Sequence, residues 1–462
     1  MCLIAKHNIS LSCPNLHWQT EIHKLFSVMT SPRNSSRLRF WPMVAIMYIL
    51  LCGGPYGIEE IVPQSGPTLA VFGMIFMAIF WGLPNILQTA ELASALPLQG
   101  GAYSWYREIW GGFWGFQFGW LEWLSWMFDT ALYPTLVAAY FTHFLWPDAG
   151  YLAVWLMSLS VIWISIWLNI RGLETVGKWS IYMSWFQILL VLCFIILGIR
   201  HIDVSIFSQW HIPENSSTKE ALVMALIFGL WNYSGYAGLA AAAEEIDDMP
   251  QTYPKALLIN LVVAMCVYIL PLMIGISIDQ NWANWDEAQF NSVALVLGGG
   301  AFAWWFMVAA QSSNFGLINS ELIVLSRLMG TMANDGHLPK CLSKLHPQYR
   351  TPVNALLLQG IILSIMTFGM GFVDLLVVGT WLSIPSYLIG FAVFVSLRFK
   401  QPDLSRPFKI LGGWPVIIPI VAIPCGIAIF IFINTPKEYF LESIPLLFSG
   451  LLIYALQKIL SK

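Results

Sequence analysis

The stretch Cys52-Gly53-Gly54-Pro55-Tyr56-Gly57-Ile58-Glu59-Glu60 interrupts an apolar segment near the start of the chain. Glycine loses more conformational entropy in a helix than any other residue, and proline removes a donor and clashes with the preceding turn. A helix that unwinds inside a membrane exposes backbone polar groups that lipid cannot satisfy. The sequence therefore predicts a broken membrane helix whose unwound part lines a cavity or a ligand; a simple proline kink is the alternative.

A second interruption, Trp231-Asn232-Tyr233-Ser234-Gly235-Tyr236-Ala237-Gly238, follows five apolar segments later. Breaks at matching positions in two halves of a chain are typical of the substrate site of secondary transporters. We therefore expect the two interruptions to face one substrate site. Ordinary helix packing through small residues is the alternative for the second one.

The composition is that of a polytopic membrane protein. The 462 residues are 58% hydrophobic and 10% charged, whereas soluble proteins carry about 25% charged residues. At about 20 apolar residues per helix, we predict an all-α protein with twelve transmembrane helices, at approximately 41–64, 68–95, 113–143, 150–169, 177–199, 220–243, 254–277, 298–330, 352–371, 373–397, 413–434 and 440–458.

The segment before the first span, residues 1–40, is basic and lacks a signal-peptide core. We expect it to be a disordered cytoplasmic tail ahead of a single transmembrane transporter domain at 41–462. Met29 is a second candidate start, which leaves open whether residues 1–28 are present in the mature protein.

The distribution of Lys and Arg sets the predicted orientation. With twelve spans and an inner N-terminus, 19 of the 22 basic residues fall on the cytoplasmic side, and only Arg200, Lys219 and Lys437 fall outside. Because positive residues are retained on the cytoplasmic side, both termini are predicted to be cytoplasmic, in a multi-pass protein of the plasma (inner) membrane. None of the seven cysteines falls in a predicted outer loop, so no disulfide-linked partner is expected.

Other functional classes lack their signatures in this sequence. There is no basic stripe for nucleic acid, no Cys/His spacing for a metal and no phosphate-binding Gly-x-x-x-x-Gly-Lys loop. We expect no cofactor and no enzymatic activity. A non-transporting membrane sensor or subunit is the alternative from another class.

Acidic residues inside the predicted spans are the main candidates for binding chemistry, because charge in a membrane is costly and usually functional. Asp129 and Glu122 lie two helical turns apart and therefore share a face of span three. Asp129 is expected to pair with a substrate ammonium or to carry a proton, whereas Glu122 is either a coupling residue or a buried structural acid. Glu59 and Glu60 begin the second half of span one, where they favour a cationic guest over an anion.

Aromatic and polar residues complete the predicted site. Aromatic faces attract cations, so the aromatic residues of the second break are expected to form a wall or lid. The predicted substrate-binding residues are Gly53, Gly54, Pro55, Tyr56, Gly57, Glu59, Asp129, Trp231, Tyr233, Ser234, Gly235 and Tyr236. The coupling or gating candidates are Glu60, Glu91, Glu122, Ser313, Asn314 and Glu321; for Glu91 loop anchoring is an alternative, and for the span-eight residues bonding between helices is.

These residues resemble the amino acid–polyamine–organocation superfamily of permeases, and most closely its polyamine-uptake and L-type amino acid branches. The matching stretches are Gly53–Glu59, Thr89–Ala93, Gly100–Gly101, Asp129–Pro134, Trp231–Asn232, Pro254–Ala256, Ser313–Asn314, Glu321 and Gly336–Pro339. The resemblance implies a leucine-transporter-type fold, in which five helices are followed by five inverted ones and two more, with helices 1 and 6 discontinuous.

The resemblance also implies a function. Family members are secondary active transporters of amino acids or polyamines that work by alternating access, as proton-coupled symporters or as exchangers. The implied partners are therefore an amino acid or polyamine, protons and the lipid bilayer. Two departures favour a more neutral substrate: Pro84 is followed by Asn85 where polyamine permeases carry an acid, and residues 232–238 contain no acid.

Overall fold

A computed structural model describes residues 40–98, 101–171, 176–208, 210–214, 216–238 and 248–460. The tail predicted for residues 1–40 lies outside the described residues, apart from Phe40. The same is true of Gly100 and of the end of the predicted sixth span.

The described part of the chain is helical and contains no β-strand. Its fifteen α-helices are α1 Phe40–Leu51, α2 Ile61–Ser65, α3 Pro67–Met77, α4 Leu83–Ala95, α5 Gly101–Trp110, α6 Gly112–Leu145, α7 Tyr151–Arg171, α8 Val176–Gly198, α9 Thr218–Asn232, α10 Met249–Ile278, α11 Gln289–Asn334, α12 Val353–Gly369, α13 Phe372–Lys400, α14 Trp414–Asn434 and α15 Lys437–Leu460.

The helices have the character of membrane spans. Among the described residues, seven helical segments are long and apolar enough to cross a membrane by length and composition. Each of the twelve predicted spans contains a described helix. The prediction of an all-helical polytopic membrane protein is confirmed, whereas the exact count of twelve spans and the inverted repeat stay predictions.

The break predicted in the first span is present. Helix α1 ends at Leu51, and helical geometry resumes as a 3-10 turn at Ile58. Gly53, Gly54 and Gly57 have φ angles of 61°, 113° and 84°. These angles are in the left-handed region, which glycine adopts without a steric penalty. The three glycines therefore allow the chain to unwind here.

The second break is also present and lies against an irregular part of the second span. Helix α9 ends at Asn232, and Gly235 has a φ of 83°. A π-helical turn at Ala78–Gly82 separates α3 from α4, and the indole N–H of Trp81 donates to the hydroxyl of Ser234 at 3.1 Å. Because π-turns are frequent at functional sites, this contact makes the neighbourhood of the second break a candidate functional site.

Helix α6 is the central element that positions the site. It packs against α11 on one side and α13 on another. Gly379 of α13 lies so close that a Cβ there would be 2.7 Å from the Cβ of Phe128. Trp123, Phe116 and Tyr140 of α6 are fully buried. The acids of α6 are therefore held between two other helices and away from lipid.

Gly66, between α2 and α3, provides a test of the packing outside the site. Its φ is 82°, and a Cβ at this position would lie 1.9 Å from the carbonyl oxygen of His211. We expect Gly66→Ala to destabilise the protein by about 1–3 kcal/mol, seen as a lower midpoint of thermal unfolding in detergent. Gly150→Ala is the matched control, because a Cβ there meets open space. Equal midpoints for the two variants would contradict the described packing.

Candidate functional site

The two helix breaks open onto one cavity. Its lining includes Gly53 and Gly54 from the first break and Trp231, Ser234 and Gly235 from the second. Part of this cavity is open to solvent. The predicted convergence of the two breaks is therefore present in the structure.

Two carboxylates from facing helices share one hydroxyl at the wall of this cavity. The hydroxyl of Tyr133 lies 3.1 Å from Oδ2 of Asp129 and 3.1 Å from Oε1 of Glu321. A tyrosine hydroxyl has a single proton to donate, so it satisfies one carboxylate at a time. Asp129 and Glu321 are therefore a coupled acidic pair that links α6 to α11.

Each acid of the pair has a second donor that fixes its orientation. The indole N–H of Trp231 donates to Oδ1 of Asp129 at 2.6 Å. The hydroxyl of Thr130 donates to Oε2 of Glu321 at 2.7 Å. The first of these bonds ties the second helix break directly to the acidic pair.

The acidic pair lacks a positive partner in the described part of the chain. No Lys, Arg or His of the described residues forms an ion pair with Asp129 or Glu321. Two carboxylates that share a site cannot both stay ionised at low cost unless a cation joins them. The arrangement is suited to binding positive charge, carried by an ammonium group, by a proton or by both.

The walls of the cavity are rich in aromatic side chains. Tyr56, Trp126, Trp231, Tyr268 and Tyr387 line it. Aromatic faces attract organic cations and also accept apolar groups, so this lining is compatible with an amine that carries an alkyl chain.

A smaller second cavity adjoins the first and contains Glu122. Its lining includes Asn85 and Gln88 of α4 and Tyr236 of the second break. Ser125 and Trp126 line both cavities.

The predicted substrate-binding residues divide into two groups. Gly53, Gly54, Tyr56, Asp129, Trp231, Ser234 and Gly235 line the main cavity, and Tyr236 lines the second. Pro55, Gly57, Glu59 and Tyr233 line neither cavity. These four residues belong to the same two breaks, but the local backbone does not bring them to either cavity.

Glu59 and Glu60 have partners away from the main cavity. Glu59 is fully buried, and it accepts hydrogen bonds from the hydroxyl of Tyr140 and, at 3.3 Å, from the backbone N–H of Phe290. Glu60 accepts from the amide of Gln64 at 3.2 Å. These two acids, which were expected from the sequence to meet a cationic guest, therefore lie outside both cavities.

The span-eight candidates lie at the cavity. The hydroxyl of Ser313 donates to the carbonyl oxygen of Gly53, which satisfies an unwound backbone group. Asn314 lines the cavity, and Glu321 belongs to the acidic pair. Sequence reasoning missed the pairing of Glu321 with Asp129, because it depends on the packing of α6 against α11. It also missed Thr130 and Tyr133. Tyr133 lies one helical turn after Asp129 and therefore on the same face, and Thr130 is the next residue after Asp129, so both could have been proposed from their spacing.

Glu91 lies at a buried ion-pair cluster that joins α4 to α13 and to the segment that follows it. It contacts Arg398 and lies 3.4 Å from Arg406, and it also accepts from the backbone N–H of Ile410 at 2.9 Å. This end of the molecule also holds an exposed cluster in which Arg107 lies 2.6 Å from Asp335. We call this end, defined by Glu91, Arg398, Arg406, Arg107 and Asp335, the arginine end.

Comparisons with known proteins agree with this architecture. Residues 38–454 match the model of the family described as amino acid permease. The chain belongs to the amino acid permease family. The resemblance stated from the sequence motifs is therefore confirmed, and the permease is a membrane transporter and not an enzyme.

Several relatives of this permease have names that describe transport. It is 31% identical to a probable polyamine transporter of Arabidopsis thaliana, over 86% of this chain and 80% of that protein. It is 28% identical to a polyamine transporter of Oryza sativa subsp. japonica, over 88% and 76%. It is 27% identical to the large neutral amino acids transporter small subunit 2 of Homo sapiens, over 84% and 76%.

The Glu91 cluster gives a prediction about stability. Glu91→Gln removes the charge that pairs with Arg398 and Arg406, and their side chains are only 10% and 4% exposed. Breaking a buried ion pair costs about 3–5 kcal/mol, so the midpoint of thermal unfolding in detergent is expected to fall clearly. Asp335→Asn is the control, because exposed pairs contribute about 0–1 kcal/mol. A Glu91→Gln variant as stable as Asp335→Asn would contradict this role.

Proposed function

We propose that this permease is a secondary active transporter that moves amino acids or polyamines across the membrane by alternating access. The observation that supports this most directly is the Asp129–Glu321 pair, which faces a cavity between two helix breaks and lacks a positive partner among the described residues. A protonated amine is the group that the two substrate classes share. The names of the relatives cover both classes.

In this proposal the acidic pair binds the amine of the substrate. The ammonium replaces the missing counter-charge and donates to oxygen atoms of Asp129 and Glu321. Trp231 holds Asp129 in place through its indole N–H and presents its ring to the same cavity. Movement of Trp231 would therefore change both the shape of the site and the orientation of its main acid, which is the behaviour required of a gate.

Proton coupling follows from the same chemistry. When both acids are ionised, the pair carries two negative charges, so one bound ammonium leaves a second charge that a proton bound at the same time can neutralise. The hydroxyl of Tyr133 lies 3.1 Å from a carboxylate oxygen of each acid, so it can donate its hydrogen bond to whichever acid is ionised. We therefore propose symport with protons, with amino acid exchange as the alternative that counterflow measurements distinguish.

Alternating access requires contacts that open in turn at the two ends. At the arginine end, which we propose to be cytoplasmic, Asp335 links α11 to α5 by accepting from Tyr103 and Arg107, each at 2.6 Å. At the opposite end, His143 of α6 lies 2.9 Å from Asp286, which precedes α11. Each contact joins one end of α11, or the segment next to it, to a neighbouring helix, so its breaking is a natural step in opening that side.

The proposal is tested by uptake into proteoliposomes. The purified permease is reconstituted and assayed with a panel of labelled amino acids and polyamines, with and without an inward proton gradient. We expect saturable uptake of at least one amine-containing substrate, accelerated when the outside is acidic. Counterflow that is independent of the gradient would indicate exchange instead. Absence of saturable uptake of every substrate would overturn the transport proposal and favour a sensor or subunit role.

The acidic pair predicts the effect of a charge-removing substitution. Asp129→Asn preserves the size of the side chain but removes the negative charge that pairs with the amine. We expect a loss of at least tenfold in the ratio of maximal rate to KM for the preferred substrate. Glu214→Gln is the control, because Glu214 is exposed and lines neither cavity. A retained rate in Asp129→Asn would exclude Asp129 as an amine-binding residue.

A further inference from the structure

The second cavity is a polar chamber that the acidic pair does not use. Its lining includes Glu122 of α6, Asn85 and Gln88 of α4, and Ser386 of α13. The chamber lies towards the arginine end, because α6 runs from that end and Glu122 precedes Asp129 along it. Helices α6 and α13 therefore line both cavities, whereas α4 lines only the second one.

Three polar atoms in this chamber are buried without a protein partner: Oε2 of Glu122, Nδ2 of Asn85 and the hydroxyl oxygen of Ser386. Asn85 and Ser386 are only 5% and 6% exposed. Among the described residues, Glu122 forms no ion pair with Lys, Arg or His. Buried polar groups are normally satisfied. The two oxygens can accept hydrogen bonds, so they indicate a site for a guest that brings a positive charge and donors, whereas Nδ2 of Asn85 is a donor and needs an acceptor.

The chamber is continuous with the main cavity along α6. Ser125 and Trp126 lie between Glu122 and Asp129 and line both cavities, as does Tyr387. A rise of 1.5 Å per residue places Glu122 and Asp129 about 10.5 Å apart along the helix axis. Both side chains tilt in the same direction along the helix, so their carboxylates are separated by a similar distance.

We propose that the Glu122 chamber is a second ammonium subsite and that the permease takes elongated substrates with two amino groups. Such a substrate lies along α6, with one ammonium at Asp129 and Glu321 and the other at Glu122. Ser386 is placed to accept a hydrogen bond from the second ammonium. This inference rests on the proposed transport function and deepens it by naming linear diamines and longer polyamines as the substrate class.

The distance between the two acidic sites selects the length of the substrate. An extended chain of single bonds advances about 1.25 Å per bond, so the nitrogens of a four-carbon diamine are about 6 Å apart. Two ammonium–carboxylate contacts of about 2.8 Å each extend this reach to about 12 Å, which covers the separation of the acids. A monoamine reaches one acidic site only and gains nothing from the other.

The test compares pairs of amines that differ by a single amino group. Pentane-1,5-diamine and 1-aminopentane compete against labelled substrate in proteoliposomes that contain the wild-type permease or Glu122→Gln. We expect Glu122→Gln to weaken inhibition by the diamine about tenfold and to leave inhibition by the monoamine within twofold. The double comparison cancels any general damage from the substitution. Glu214→Gln is expected to change neither value.

Two further variants keep the inference falsifiable if Glu122→Gln folds poorly. Ser386→Ala is expected to weaken the diamine selectively but by less, about two- to fivefold, and Glu122→Asp to restore most of the diamine preference. An equal effect of Glu122→Gln on inhibition by both amines, or no effect on either, would overturn the second subsite. A loss of gradient-driven accumulation that is equal for both amines would assign Glu122 to proton movement instead. If the wild-type protein transports no amine, the underlying transport proposal fails instead.

Discussion

The hydrogen bonds from Tyr133 to two carboxylates are the interaction on which the site depends. Asp129 and Glu321 lie on different helices, and burial of two acids without a cation is unfavourable. The protein meets this cost only in part, through Tyr133, Thr130 and the indole of Trp231. The remaining imbalance can be relieved by an ammonium or a proton, which is the reason we propose that the substrate binds at this position.

The helix breaks are stabilised by the same set of helices. Unwound carbonyls need donors within the protein, because lipid offers none. Ser313 of α11 supplies one to Gly53, and the hydroxyl of Tyr268 of α10 lies 3.1 Å from the carbonyl oxygen of Cys52. The same helix α11 thus supports the first break and carries Glu321, while the second break holds Asp129 through Trp231. A change in either break is therefore transmitted to the acidic pair through direct bonds.

Sequence patterns predicted what depends on local chemistry. Glycines located both breaks, together with Pro55 in the first, and the cost of charge in a membrane singled out Asp129 and Glu122. The patterns did not show which acids meet, since the pairing of Asp129 with Glu321 depends on how α6 packs against α11. Glu59 illustrates the limit most clearly: it follows the break directly in sequence, yet one helical turn directs it to Tyr140 and Phe290. The predicted start of span eight near residue 298 coincides with a kink at Gly299, where φ is 71°.

The position of Asn85 changes how its departure from the family pattern bears on the substrate. From the sequence, an amide in place of an acid reduces the negative charge available to a polycation. In the structure Asn85 lies in the same chamber as Glu122, so the chamber retains one carboxylate, contributed by a different helix. One carboxylate flanked by neutral polar groups balances the charge of one ammonium group. In the proposed arrangement, charge balance along α6 favours a substrate with one ammonium at each end over a neutral amino acid.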